Sequence, residues 1–275
     1  MALKSPLINV MQAVARKAGR GLMRDFGEVE NLQVSRKGPG DFVSRADLRT
    51  EQLLKEELHR VRPKFGFVME ESDPVEGEDA NRRWIVDPLD GTTNFLHGIP
   101  HFAISIALQE GRDIVAGLVY QPLTDEMFWA ERGQGAYLNE RRLRVASRHD
   151  LADAVITTGI PHLGREGSER YMRELALVAA QVAGIRRLGA AALDLAYVAA
   201  GRCDGFWEQG LGVWDIAAGM LIVREAGGFV SDTGGGDRAL ATGDVLAANS
   251  ALHGRLLRLL NEARRSGASQ PGAAP

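Results

Sequence analysis

Helical and strand periodicities interleave from one end of this chain to the other, and that alternation predicts a mixed α/β fold. Three observations carry the prediction. An amphipathic stripe opens the chain, short apolar runs in the first half end directly in carboxylates, and the second half alternates strand-length with helix-length patterns. The composition suits one sizeable globular unit: 275 residues, 45% hydrophobic and 25% charged, with 33 Lys and Arg against 36 Asp and Glu for a net charge of −3.

Each element has a local reason. Ser5 is a good N-cap, Pro6 fits the first helical position, and Leu7, Met11, Val14, Ala18 and Leu22 recur at helical spacing. Gly27 offers a stop, and 28–34 reads as a short strand leading to a turn at Lys37-Gly38-Pro39-Gly40. Ser44 and Asp47 have the spacing of a capping box, opening a second helix whose narrow apolar face is Leu54, Leu58 and Val61 and which Pro63 ends. Segments 65–69 and 84–86 read as buried strands; 102–108, 114–120 and 127–130 read as a meander turned first at Glu110-Gly111-Arg112-Asp113. Beyond Pro161 the pattern gives a helix over 166–182, a strand over 184–188, an alanine-rich helix over 191–200 stopped by Gly201, a strand over 203–207 and a helix over 213–226. Strands over 228–231 and 245–248 follow, then a last helix through Leu252, Leu256, Leu259 and Leu260. Residues 1–263 thus read as a single domain of two fused lobes, about 1–148 and 149–263, and the Ala-, Gly-, Ser- and Pro-rich 264–275 as a disordered tail.

Several function classes are excluded or disfavoured. A near-neutral balance argues against a protein whose main partner is a polyanion. Cys203 is the sole cysteine, so no intramolecular disulfide forms, and neither CxxC nor HExxH suggests a zinc site. No Gly-x-Ser-x-Gly elbow, P-loop or Gly-x-Gly-x-x-Gly fingerprint occurs. Lys4, Arg16, Lys17 and Arg20 interrupt any signal-peptide core, and no run approaches the ~20 apolar residues of a membrane helix. A reducing cytoplasmic setting without membrane attachment is expected.

The chemistry concentrates in Trp84-Ile85-Val86-Asp87-Pro88-Leu89-Asp90-Gly91-Thr92-Thr93-Asn94-Phe95, where a buried strand ends in two carboxylates three residues apart. Asp87, before a proline, stays extended, and Pro88 can open a turn that brings Asp90 beside it. The pair makes an oxygen-rich site for a hard cation such as magnesium, and the amides of Gly91, Thr92 and Thr93 could meet a phosphate at a helix start. An isolated Asp-x-x-Asp is more often a plain turn with a helix cap. Two further acidic positions share its context: Glu70-Glu71 at the end of strand 65–69, and Asp215 at a helix start in Val213-Trp214-Asp215. Four carboxylates together repel one another unless cations occupy the cluster.

With these blocks in view, the chain resembles the inositol monophosphatase family of magnesium-dependent, lithium-sensitive phosphatases. The resemblance rests on Lys37-Gly38-Pro39-Gly40-Asp41-Phe42-Val43-Ser44-Arg45-Ala46-Asp47, Glu70-Glu71, the block from Trp84 to Phe95, Gly189-Ala190-Ala191-Ala192-Leu193-Asp194 and Trp214-Asp215-Ile216-Ala217-Ala218-Gly219. It implies a layered α-β-α-β-α sandwich and a homodimer. By the same resemblance Glu70, Asp87, Asp90 and Asp215 are metal ligands, joined by the Leu89 carbonyl, for two or three Mg2+ per subunit. Asp90, Gly91 and Thr92 would contact the phosphate end of the substrate, and Thr92 with Asp47 would orient and deprotonate the attacking water, which Glu70 helps to hold. Gly189, Ala190, Ala191, Glu208 and Asp215 would contact the rest of the substrate. Met69 and Ala190 depart from the family pattern; at Met69 a packing change is expected, and Ala190 lacks a hydroxyl common there. Lys37 matches a lysine kept near the site. His97 and His101 read as loop-positioning residues, and Cys203 as a small buried apolar one.

The implied activity is hydrolysis of a small polyol phosphate, inositol 1-phosphate by default, although relatives act on fructose 1,6-bisphosphate, histidinol phosphate or 3'-phosphoadenosine 5'-phosphate. A second class of function, contact with RNA or the transcription machinery, rests on Arg141-Arg142-Leu143-Arg144 and Arg186-Arg187, which otherwise read as solvated faces.

Overall fold

A computed structural model describes residues 4–28, 34–38, 41–161 and 167–268, with only the backbone described at 34–38, 41–43 and 267–268. Helix α1 (Pro6–Phe26) starts where its cap predicts: Ser5 Oγ accepts the Ile8 amide at 3.2 Å, and Gly27 ends the helix. Strands β1 (Val34–Gly38) and β2 (Asp41–Ser44) pair antiparallel, so this strand lies later than 28–34 and takes in Lys37 and Gly38. Pairing with β2, a tertiary choice, sets its position rather than the local pattern. Helix α2 (Arg45–Val61) carries the expected capping box, with Ser44 N donating to Asp47 Oδ2 at 2.8 Å and Ala46 N to Ser44 Oγ at 3.1 Å.

A seven-stranded sheet follows in chain order: β3 (Phe65–Met69), β4 (Asp79–Asp90), β5 (Ala103–Glu110), β6 (Asp113–Gln121), β7 (Glu126–Glu131), β8 (Gly135–Leu138) and β9 (Arg141–Arg142). Only β3 and β4 are parallel. Helix α3 (Thr92–Leu96) directly follows β4. The second sheet comprises β10 (Val155–Thr158), β11 (Gly184–Arg186), β12 (Gly205–Glu208), β13 (Phe229–Ser231) and β14 (Val245–Ala248), in spatial order β11-β10-β12-β14-β13. Around it run α4 (Ser168–Ala179), α5 (Ala191–Ala199), α6 (Val213–Glu225), α7 (Ala239–Thr242) and α8 (Ser250–Ala268).

The elements stack in five layers. Helices α1 and α2 cover one face of the seven-stranded sheet, α5 and α6 fill the space between the sheets, and α4 and α8 cover the far face of the five-stranded sheet. Strand β4 is therefore buried on both faces, which explains its unbroken apolar run. Trp84 and Val86 enter the core under α1 and α2, while Ile85 enters the core between the sheets. On β12, Phe206 faces the central core and Trp207 the outer one under α4 and α8.

Three differences from expectation stand out. The carboxylate pair does not follow the strand as a turn; Asp87 and Asp90 both lie on β4, separated by a register shift against β5. Strand β10 is an element that the periodicity reading passes over. Helix α8 continues to Ala268, past residue 264 where composition predicts a disordered tail, as a continuation of a helix whose buried stripe runs through Leu256, Leu260 and Ala263; 269–275 lie outside the described residues.

Candidate active site

Strand β4 supplies the centre. Asp87, 1% exposed, sits opposite Ser105 on β5, and its Oδ1 accepts the Leu89 amide at 2.9 Å, so the local Asx turn and the carboxylate cluster coexist. The register shift swings Asp90 onto the same side, where its two oxygens accept the amides of Ala191 at 3.2 Å and Ala192 at 2.8 Å. Asp90 thereby caps α5, whose own N-cap residue, Ala190, offers no side-chain oxygen. Parallel pairing of Met69 with Val86 brings Glu70 alongside Asp87, and their side chains hydrogen-bond. Asp215, in the first turn of α6, accepts the Gly212 amide at 2.7 Å. Ser105 Oγ donates to the Trp214 carbonyl at 3.0 Å, pinning the start of α6 next to the strand that carries Asp87.

Asp87, Asp90 and Asp215 consequently offer oxygens within 4.8 Å of one another. Burial first, and then the neighbouring Glu70, Asp90 and Asp215, hold the Asp87 carboxyl well above the usual carboxylate range; burial and then Asp215 do the same to Asp90. Among the described residues the donor set is all oxygen and converging, which fits a hard divalent cation.

Beside this cluster lies a second pair. Thr92 Oγ1 is 3.0 Å from Asp47 Oδ1 and 3.1 Å from the Leu89 carbonyl, and its single proton serves one acceptor at a time. Asp47 is fully buried, and burial raises its pKa against the opposing hydrogen bonds from Ser44 and Thr92. The α2 capping box is therefore also what aims Asp47 at Thr92.

Gly91 and Gly189, at φ +92° and +86°, hold backbone conformations that side-chain-bearing residues resist, and the two meet: a Cβ on Gly91 would sit 3.3 Å from the Gly189 carbonyl. Asn94 ties these segments together, its Nδ2 donating to the carbonyls of His101 and Leu188, both at 2.8 Å. Glu208 ends β12, and its carboxylate lies against Gly159 so closely that a Cβ there would fall 1.9 Å from Glu208 Cδ. Its charge acts on Asp90 and Asp194.

The residues singled out in the sequence thus gather at one place: Asp47, Glu70, Asp87, Leu89, Asp90, Gly91, Thr92, Gly189, Ala190, Ala191, Glu208 and Asp215. The Ala191 amide is given to Asp90. Met69 is buried in the core under α1 and α2. His97 Nδ1 lies 2.8 Å from the Thr93 carbonyl, as a loop-positioning residue would, and burial pushes the Cys203 thiol up to about 12. The Lys37 side chain falls outside the described part of the structure. Sequence reasoning gave no role to Ser105, Asn94, Gly159 or Asp194. The β-branched run Val155-Ile156-Thr157-Thr158 was the available signal for β10, which leads into Gly159. Asp194 is 1% exposed, with Oδ1 unpartnered among the described residues, and burial raises its pKa well above the usual range against a hydrogen bond from Thr157.

No helix among the described residues is long and apolar enough to cross a membrane. Comparison with known proteins agrees with the geometry. A protein named inositol-1-monophosphatase from Mesorhizobium japonicum is 60% identical over 259 residues, covering 94% of this chain and 97% of its own. The Escherichia coli protein named Nus factor SuhB is 44% identical over 245 residues, covering 89% of this chain and 91% of its own. The crystal structure of the extragenic suppressor protein suhB from Bartonella henselae superposes with a TM-score of 0.92 at 58% identity, covering 94% of this chain and 99% of that one. The family model described as the inositol monophosphatase family matches residues 3–265, a span that takes in every carboxylate of the site, and the chain belongs to that family.

Proposed function

We propose that this chain is a magnesium-dependent phosphomonoesterase that hydrolyses a small polyol phosphate, inositol 1-phosphate first among them. The observation that carries this reading is the convergence of Asp87, Asp90 and Asp215 beside the Thr92–Asp47 pair. These acids, with Glu70 and the Leu89 carbonyl, would hold a divalent cation, which would supply charge neutralisation and Lewis acidity. Thr92, donating its proton to Asp47, turns an oxygen lone pair toward the attacking water and orients it. Asp47, its pKa raised by burial, is a fitting acceptor for the proton that water gives up. The water oxygen bonds to phosphorus as the ester bond breaks; the leaving alkoxide takes a proton from a second water, and the hydroxide so formed takes back the proton held by Asp47. Asp90, Gly91 and Thr92 hold the phosphate end, and Gly189, Ala190, Ala191, Glu208 and Asp215 the polyol end. Both lobes, about 1–148 and 149–263, contribute to this one unit. The same reading takes two or three Mg2+ per subunit, inhibition by lithium, a homodimer and a cytoplasmic setting.

The test is phosphate release from inositol 1-phosphate, fructose 1,6-bisphosphate, histidinol phosphate and 3'-phosphoadenosine 5'-phosphate, with and without magnesium, for the wild type and Asp90→Asn. Magnesium-dependent release that falls at least ~100-fold in the variant supports the mechanism, since even outer partners of a metal site are worth ~10–100-fold. Folded wild type that releases nothing from any of the four overturns it.

A second reading is an additional contact with RNA or the transcription machinery. It is favoured by the similarity to proteins named Nus factor and by exposed Arg141, Arg142, Arg144, Arg186 and Arg187. Binding that survives Asp87→Asn but not charge reversal of these arginines would separate it from catalysis.

A further inference from the structure

Residues 208 and 209 face opposite sides of the five-stranded sheet, because side chains alternate along a strand and its continuation. Phe206 and Glu208 point to the central layer and the site; Trp207 and Gln209 point outward to α4. Helix α4 meets both outward residues with side chains one turn apart. Tyr171 stacks on Trp207 with ring centroids 6.2 Å apart, and Glu174 Oε2 accepts Gln209 Nε2 at 2.6 Å. The Glu174 side chain is fully buried; Arg170 Nε donates to its other oxygen at 2.9 Å, and Arg264 Nε of α8 stands 3.9 Å away. A carboxylate held at both oxygens is a rigid anchor, and a hydrogen bond to it is charge-assisted. The next two residues are tethered as well: Gly210 N donates to Asp244 Oδ1 at 3.2 Å, and Leu211 N to the Gly243 carbonyl at 3.0 Å. The segment between Glu208 and Asp215 is thus gripped from the outer layer, on the side away from the reacting groups.

We propose that Gln209 and Glu174 form a clamp that positions the Glu208 carboxylate toward the hydroxyl-bearing part of the substrate, and so sets the preference for polyol phosphates over phosphates without hydroxyls. The proposal rests on the reading of Glu208 as a hydroxyl acceptor. Gln209 and Glu174 are positioning residues; neither touches the reacting atoms. Releasing Gln209 removes one of the holds on this segment, the one next to Glu208, and so loosens the Glu208 carboxylate, while the acids on β4 keep their own supports.

The experiment compares kcat and KM for inositol 1-phosphate and for an aryl phosphate, p-nitrophenyl phosphate, using full-length protein with magnesium. The variants are Gln209→Ala, in which Glu174 keeps Arg170, the exchange of Gln209→Glu with Glu174→Gln, which reforms the pair with its roles reversed, and Glu208→Gln. In Gln209→Ala the ratio of kcat/KM for the polyol to that for the aryl ester falls about fivefold, the worth of one hydrogen bond, mainly through KM for the polyol. The exchange restores most of that ratio. Equal losses on both substrates, the mark of a merely structural role, overturn the clamp. A ratio lowered by Glu208→Gln but unmoved by Gln209→Ala overturns the clamp alone, whereas a ratio unmoved by Glu208→Gln overturns the reading of Glu208 and the clamp with it.

Discussion

The acids on β4 and the acids on either side of the β12–α6 connection serve one site but are held in contrasting ways. Asp87 and Asp90 ride on a strand with hydrogen-bonded neighbours on both edges and helices over both faces, and Asp90 is fixed further by two amides of α5. Glu208 and Asp215 are half-buried and bracket a short connection that is gripped by Glu174, Asp244 and Gly243. The first region cannot move without breaking a sheet, and Asp215 rides on a helix that Ser105 fastens beside it; Glu208, at the end of β12, can move by releasing a few contacts. On the proposed reading Asp87 and Asp90, which would serve the phosphate common to every substrate of this class, sit on the stiffest part of the molecule. Glu208, which on the same reading would meet the variable part of the substrate, sits where small changes in supporting residues would retune it.

This contrast predicts different kinetic signatures. The largest effect is expected from Thr92→Val, which keeps the shape but removes the hydroxyl linking Asp47 to water: kcat falls ~100-fold or more, with KM little changed. Single-turnover rates check it, and a loss confined to KM would break the comparison. Gly159→Ala puts a methyl group where the Glu208 carboxylate lies, so that carboxylate must swing away. KM for the polyol phosphate is then expected to rise ~10-fold, the scale of a hydrogen bond to a charged group, with kcat nearly intact. A kcat loss as large as that of Thr92→Val would show that the two regions are not separable.

Asp194, behind the site on α5, gives a smaller effect on stability. Its carboxyl is raised well above 3.8 in the folded protein, chiefly by burial and then by Glu208 and Asp90. The folded state therefore binds a proton that the unfolded chain has already released, and stability falls as pH rises from about 3.8 through the folded value. Asp194→Asn removes that slope: thermal melts in chelator should show the variant more stable by roughly 1–3 kcal/mol at alkaline pH and level with wild type near pH 3. A variant less stable at every pH would mean that the hydrogen bond from Thr157 outweighs the burial of the charge. The least effect is expected from His97→Ala, within about ±0.5 kcal/mol in stability and with turnover nearly unchanged, as for a surface residue bonded only to its own loop.

Much of this was legible in the chain. The Ser5 and Ser44 caps, the Pro6 start and the Gly27 stop depend on neighbours within a few residues, and each appears where local rules place it. The blocks around Asp87 and Asp215 marked the acids because several carboxylates shared one context beside buried apolar sequence, although each alone also makes a local turn or cap bond. Strand β1 and the bulge between Asp87 and Asp90 were not legible, since each depends on a pairing partner that no local pattern names.

The sequence by itself determined the alternation of helices and strands, the residues that cap them, and the acids that a cation site would need. Tertiary structure alone decided that Asp90 caps a helix 101 residues away, that Ser105 fastens α6 beside Asp87, and that Gln209 is held from the outer layer while Glu208 points inward. The reason is physical. Caps and periodicities are set by contacts a few residues apart, whereas these bonds exist only once two sheets have packed on the helices between them, and the geometry of that packing belongs to no single segment of the chain.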